Sequence, residues 1–244
     1  MKEQSRMEKM MIAGPCSIES YGQAMETAKY LKSLGVKNFR GGAFKPRTSP
    51  DSFQGLGREA LEIMKAVKKE TGLITSTEVM DGKDIAAVYD AVDILQIGSR
   101  NMHNYTLLQT VGAQDKPIIL KRGMSATMEE WIKASEYIRR AGNDNIIMCE
   151  RGIRTFDTYT RNTMDIAAIP IIKNETGLPV IADPSHGTGR KELILPMSKA
   201  ALAAGADGIM VEVHPQPERA LSDGEQSLSF EEFRYFYREI KSRD

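Results

Sequence analysis

The sequence predicts an α/β fold of one domain: a closed (β/α)8 barrel in which each of eight parallel strands is followed by a helix. Three observations carry this expectation. The chain of 244 residues contains eight short apolar runs, helical periodicity between them, and a unit of about 30 residues that suits a strand, a crossover helix and two loops. The runs fall at 10–13, 36–40, 73–77, 93–97, 117–121, 145–149, 178–182 and 208–213. Their length and apolar continuity are those of strands covered on both faces.

Helical patterns fill the intervals. Ala24, Ala28 and Leu31 precede Gly35, Leu61, Met64 and Val67 precede Gly72, and Trp131, Ala134 and Ile138 precede Gly142. Each set repeats at helical spacing before a residue suited to a left-handed helix end. Ile85, Val88 and Val92 form a further stripe. Thr127 with Glu130 and Ser229 with Glu232 have capping-box spacing, which predicts helices from about Met128 and Phe230. Pro170 would break a helix interior, so the sixth helix is expected to begin near it, after a long loop from Arg151 to about Ala168. A further helix is expected at Lys191. An open doubly wound sheet would also alternate, but no G-x-G-x-x-G follows the first strand. The expected architecture is therefore a single TIM barrel forming one catalytic domain over 1–244, with no fused regulatory domain.

Composition narrows the function classes. Hydrophobic residues at 41% and charged residues at 27% suit a globular protein and exclude a disordered one. Thirty-three Lys and Arg balance 33 Asp and Glu, so no net field draws the chain to nucleic acid or an anionic membrane. Two cysteines suit a reducing compartment. The N-terminus lacks a signal-peptide pattern and no run of 18 apolar residues occurs, so a cytoplasmic location and no membrane partner are expected.

In such a barrel the active site is built where the strands end, so the residues just after each run are the informative ones. They read Gly14-Pro15-Cys16-Ser17, Arg40-Gly41-Gly42-Ala43-Phe44-Lys45-Pro46-Arg47, Ser76-Thr77-Glu78, Gly98-Ser99-Arg100, Lys121-Arg122-Gly123, Glu150-Arg151-Gly152, Asp183-Pro184-Ser185-His186 and Glu212-Val213-His214. Arg40, Lys45, Arg47, Arg100, Lys121 and Arg151 would meet at one mouth. Such a cluster is costly to bury empty and fits more than one phosphate or carboxylate. Cys16, His186 and Glu212 follow strands one, seven and eight, which are neighbours in a closed barrel, and Asp223 lies in the next loop. A thiol, an imidazole and two carboxylates suit a divalent Mn, Fe, Co or Zn ion rather than Ca or Mg. The residues alone leave open a Cys16 that is simply a small buried group and a His186 that caps a loop. Cys149 is expected in the core. His214, two residues beyond Glu212, is expected on the same side as that carboxylate. His103 is expected at a helix start. Gly41-Gly42 and Gly187-x-Gly189 are weaker candidates for backbone contact with an anion.

These strand-end motifs, with Arg40-Gly41-Gly42-Ala43-Phe44-Lys45-Pro46-Arg47-Thr48-Ser49-Pro50 as the longest, resemble the 3-deoxy-D-arabino-heptulosonate 7-phosphate (DAHP) synthases of the type I-beta subfamily. The resemblance runs from about Met11 to Ile240. It implies an aldol-type condensation of phosphoenolpyruvate with erythrose 4-phosphate and water, releasing phosphate, at the entry to the shikimate pathway. Cys16, His186, Glu212 and Asp223 resemble the ligands of a divalent metal. Arg40, Lys45, Arg100, Lys121 and Arg151 resemble the phosphoenolpyruvate set, and Arg47, Thr48 and Ser99 the contacts to the aldose phosphate. Lys45, Glu78, Asp183 and His186 are the expected catalytic group, with Lys45 donating a proton or polarising a carbonyl and Glu78 holding a water chain.

Two alternatives stand beside this reading. The related 3-deoxy-D-manno-octulosonate 8-phosphate synthases use arabinose 5-phosphate and tend to carry Lys-Ala-Asn-Arg-Ser where this chain has Lys45-Pro46-Arg47-Thr48-Ser49. A catalytically silent barrel that binds sugar phosphates is the other. The family implies a homodimer or homotetramer. The short ends argue against feedback inhibition through a fused domain, and a separate chorismate mutase partner is a route to regulation that the sequence neither shows nor excludes.

Overall fold

The structure is a computed structural model that describes residues 9–46 and 49–242. Eight parallel strands close in chain order: β1 (Met10–Gly14), β2 (Asn38–Arg40), β3 (Ile74–Glu78), β4 (Ile94–Ile97), β5 (Ile118–Lys121), β6 (Ile146–Glu150), β7 (Val180–Ala182) and β8 (Gly208–Glu212), with β8 returning to β1. The closing pair runs from Met10 opposite Gly208 to Gly14 opposite Glu212, which brings the residues after β1 beside the Glu212 carboxylate. The helices are α1 (Tyr21–Ser33), α2 (Arg58–Thr71), α3 (Ile85–Ala91), α4 (Tyr105–Gly112), α5 (Met128–Arg140), α6 (Ala168–Thr176), α7 (Pro184–Thr188), α8 (Lys191–Ala203) and α9 (Phe230–Lys241). Among the described residues no helix is long and apolar enough to cross a membrane.

Strand alternation decides what reaches the site. Ile12, Ile94, Ile119, Ile147, Cys149, Ile181 and Met210 pack together as one buried cluster. Their strand neighbours Met11, Ala13, Leu95, Ile97, Ile118, Leu120, Ile146, Met148, Val180, Ile209 and Val211 join a second cluster with the helices. The first cluster therefore fills the barrel and the second lies between barrel and helices. Two residues beyond Ile119, Met210 and Ile181 in the inward register stand Lys121, Glu212 and Asp183, all buried. The same alternation sends Glu150 outward with Ile146 and Met148, and Arg122 outward after Lys121. There Arg122 pairs with Glu150 at 3.0 Å and Asp165 at 2.9 Å and lies over the Trp131 ring.

Local chemistry sets the element ends. Both expected capping boxes are present, and α5 and α9 begin at Met128 and Phe230. Pro170 is the third residue of α6, in the first turn, where its missing N–H removes no helical bond. Two strands, β2 and β7, are shorter than expected by two residues each. The Val36 N–H donates to Leu31 O, closing α1 rather than joining the sheet. Pro179 has no N–H to give, and the Leu178 N–H goes to Thr176 Oγ1, so β7 starts at Val180. Helix α7 was not expected. Asp183 Oδ1 accepts from the His186 N–H and Pro184 occupies the first helical position, which turns the chain into a helix immediately after β7.

Candidate active site

Strands β1 and β8 with helix α7 bring four donors together. Cys16 follows β1, His186 lies in α7, Glu212 ends β8 and Asp223 sits in the loop beyond, and one potential ligand atom from each lies within 4.8 Å of all the others. The cluster is tightly ordered. Cys16 Sγ donates to Asp223 Oδ2 at 2.9 Å, and His186 Nε2 lies 3.2 Å from Glu212 Oε1. Arg40 donates to Glu212 Oε1 at 2.7 Å, and Gln226 Nε2 donates to Glu212 Oε2 at 2.6 Å. His186 Nδ1 meets Asp183 Oδ2 at 2.7 Å. That contact orients the imidazole with Nε2 toward the cluster, the arrangement that a carboxylate behind a ligating histidine produces.

The electrostatics favour a cation here. Burial pushes the Cys16 thiol up to about 12, reinforced by Glu212 and opposed by Lys45. Burial also lowers the His186 imidazole below its ordinary value, despite Asp183 and Glu212. Burial opposes ionisation of Asp223, but the His186 ring, the Lys45 ammonium and the Cys16 hydrogen bond outweigh it and hold the carboxyl well below the usual range. In the tautomer that gives Nδ1–H to Asp183 and loses its other proton, the imidazole turns a lone pair at Nε2 toward the Glu212 oxygen 3.2 Å away. Two acceptors so close call for a positive charge between them. One thiol, one imidazole and two carboxylates around one point fit a first-row divalent ion.

Beside this cluster the barrel mouth holds a cavity of about 350 Å³. Six cations line it among the described residues: Arg40, Lys45, Arg100, Lys121, Arg151 and Arg161. Lys121 Nζ is fixed by Asp183 Oδ2 at 2.6 Å, and although burial opposes ionisation, the His186 ring and the Lys121 ammonium hold the Asp183 carboxyl well below its ordinary range. Arg151 donates to Gly152 O and His186 O, each at 3.2 Å, which aims the guanidinium across the mouth. Lys45 Nζ lies 2.8 Å from Cys16 Sγ and 3.7 Å from Asp223 Oδ2, at the boundary between ligand cluster and cup. Ser99 and Arg100 reach the rim in a 3₁₀ turn after β4.

Glu78 is the acidic wall of the cup. Burial raises its carboxyl above the ordinary value, although Lys45, Lys121, Arg100 and Arg40 pull the other way. Its Oε1 is the one fully buried side-chain oxygen without a hydrogen-bond partner among the described residues. A Cβ at Gly98 would lie 2.0 Å from this oxygen, so glycine there is what leaves the carboxylate its place.

Most of the expected site residues meet in one place. Cys16, Arg40, Lys45, Glu78, Ser99, Arg100, Lys121, Arg151, His186 and Asp223 line the cup, with Glu212 and Asp183 directly behind it. Arg47 and Thr48 lie outside the described residues. His214 does not join the cup, because β8 ends at Glu212 and alternation ends with it. Its Nε2 lies 3.3 Å from Glu19 Oε2, and its Nδ1 accepts from the Gln216 N–H. A Cβ at Gly187 would strike Met164 and one at Gly189 would strike Arg161, so both glycines allow close packing. At α4 it is Asn104, not His103, that caps the helix. Cys149 is buried among isoleucines as expected. Sequence reasoning missed Arg161, Gln96 and Gln226. The length of the loop after Arg151 was the signal available for Arg161, and nothing in spacing marked the two glutamines.

The chain matches the family model described as the DAHP synthetase I family over residues 5–243. A phospho-2-dehydro-3-deoxyheptonate aldolase of Thermotoga maritima is 53% identical over 231 residues, covering 95% of this chain and 68% of the relative. The crystal structure described as phospho-2-dehydro-3-deoxyheptonate aldolase (DAHP synthase) from Thermotoga maritima superposes with a TM-score of 0.94 at 50% identity, over 98% of this chain and 69% of that one. A 2-dehydro-3-deoxyphosphooctonate aldolase of Francisella tularensis is 33% identical over 252 residues, covering 96% of this chain and 90% of the relative.

Proposed function

The chain belongs to the DAHP synthetase I family, and from that premise we propose that the strand-end cup condenses phosphoenolpyruvate with erythrose 4-phosphate and water to DAHP and phosphate. It is an enzyme of the DAHP synthase type. The observation that carries the site assignment is the convergence of four ligand atoms and six cations on one rim of the barrel. The Lys45 to Ser49 segment and the other strand-end motifs support the type I-beta subfamily.

Cys16, His186, Glu212 and Asp223 would hold a divalent ion, which when bound supplies Lewis acidity toward the aldehyde. The protein's own groups do the rest. Arg40, Arg100, Lys121 and Arg151 bind the phosphate and carboxylate of phosphoenolpyruvate, with Lys121 and Arg151 already oriented by Asp183 and by backbone carbonyls. Ser99, with Arg47 and Thr48, contacts the aldose phosphate. C3 of phosphoenolpyruvate attacks C1 of the aldose, and Lys45 Nζ donates a proton to the oxygen that gains charge there. Water adds at C2 and gives up a proton to Glu78 Oε1, which has no competing partner among the described residues. Breaking the C2–O bond then releases phosphate, whose growing charge Arg100, Lys121 and Arg151 stabilise.

The test is phosphate release after stripping with EDTA and reloading with Mn²⁺, with each aldose in turn. Release that requires the ion and prefers erythrose 4-phosphate is expected. Preference for arabinose 5-phosphate, or inactivity with every first-row ion, would contradict the assignment. Gly98→Ala provides a second test, because its new methyl would lie 2.0 Å from Glu78 Oε1, the far end of a flexible side chain, and must displace that carboxylate. Its kcat should fall about 10²–10⁴-fold, matching Glu78→Gln, as expected for loss of a group that handles a proton. Full turnover in either variant would remove Glu78 from the reaction.

A further inference from the structure

Asp223 faces two openings. It lines the substrate cup, and it also lines a shallow surface depression of about 430 Å³ formed with Arg161, Gly189, Gly224, Glu225 and Gln226. Arg161 lies across the boundary and lines both. Its NH1 donates to Asp223 Oδ1 at 3.1 Å and to Gln226 Oε1 at 2.9 Å. Gln226 in turn donates to Glu212 Oε2, so one guanidinium orders both acidic members of the ligand cluster.

Three further features set Arg161 apart from Arg40, Lys121 and Arg151, the buried cations of the cup. Its side chain is 40% exposed, against 20% for Asp223 and none for Glu212, so it can swing into solvent without disturbing the core. Its seat is open by design of the sequence: Gly189 is left-handed at φ 70°, and a Cβ there would lie 2.7 Å from Arg161 Cβ. The residue it holds is itself unusual. Asp223, at φ 51°, is the one non-glycine residue with positive φ among the described residues, and such a conformation persists where surrounding contacts hold it.

Charge distinguishes the two openings. A divalent cation approaching through the cup meets five other cations besides Arg161, with the Lys45 ammonium beside Cys16 and Asp223. The outer depression is lined by Asp223, Glu225 and Gln226, with Arg161 as its only cation among the described residues. We propose that Arg161 is a latch over an outer port of the ligand cluster, and that the divalent ion exchanges through this port rather than through the substrate cup. The proposal rests on the metal reading above and extends it to how the ion enters, making Arg161 a positioning residue for Asp223 and Glu212. It also lets the ion exchange while an anionic substrate fills the cup.

The test follows the ion, not turnover. Protein loaded with Co²⁺ is expected to show a thiolate-to-cobalt absorption band, whose decay in excess chelator gives the release rate. Arg161→Ala should release cobalt faster, by about ten- to a hundredfold, the scale on which outer partners of ligands act. Arg161→Lys should recover much of the slow rate, which a general packing defect would not allow. Saturating phosphoenolpyruvate should leave the wild-type rate unchanged, and this arm needs no variant. Release equally slow in Arg161→Ala, or release arrested by phosphoenolpyruvate, would overturn the latch and port while the ligand assignment stands. A wild-type protein that never develops the band would overturn the ligand assignment itself.

Discussion

Cys16→Ser is expected to lose divalent-ion binding and to lower kcat by roughly 10³-fold, the several kcal/mol that a Lewis acid contributes to a developing charge. The reason is in the surroundings of the sulfur. Burial with Lys45 on one side and Asp223 on the other leaves Cys16 Sγ in a site that accepts a soft donor and one ion. A serine hydroxyl is nearly the same size but does not ionise there, so the fold should persist while the ion leaves. Equilibrium dialysis followed by metal analysis separates the two effects. Retained ion and retained turnover would return Cys16 to the role of a small buried group.

Arg122→Met should destabilise the fold by about 3–5 kcal/mol, lowering Tm by roughly 6–20 °C, because it leaves two carboxylates without their cation. Glu150 is wholly buried and Asp165 is one-fifth exposed, and Arg122 serves both. Burial already raises the Glu150 carboxyl, with Arg122 as the main opposing influence. The variant should keep its KM for phosphoenolpyruvate at low temperature, since Arg122 faces outward from the cup. Arg122→Met with Glu150→Gln should recover part of the loss, as neighbouring pairs do when both partners go. Chemical denaturation of both proteins measures this. A single variant as stable as wild type would mean that the outer ion pair holds nothing.

The contrast between Lys121 and Arg122 shows what the sequence made legible and what it did not. Both were visible as polar residues after an apolar run, and both are buried. Period-two alternation assigns Lys121 inward and Arg122 outward, but only once the strand's end is known to the residue. The strands themselves were readable because parallel strands covered on both faces are continuously apolar, and α5 and α9 because their caps are encoded locally. The ligand set was readable because a closed barrel makes its first, seventh and eighth strands neighbours. Arg161 and Gln226 were not readable. They lie in loops whose paths depend on contacts such as Arg161 N–H to Thr188 O, over 27 residues of sequence, and no local pattern states such a contact. Helix α7 was legible in hindsight from Asp183 followed by Pro184, a cap followed by the favoured first helical residue. His214 failed for the opposite reason, since alternation was extended two residues past the strand that sustains it.

The central claim is that four side chains spread from position 16 to position 223 meet around one ion. X-ray absorption of the zinc-loaded protein tests it most directly. One sulfur at about 2.3 Å with nitrogen and oxygen at about 2.0–2.2 Å is expected, and the sulfur contribution should vanish in Cys16→Ser. A coordination sphere of nitrogen and oxygen alone in the unaltered protein would contradict the site at its centre.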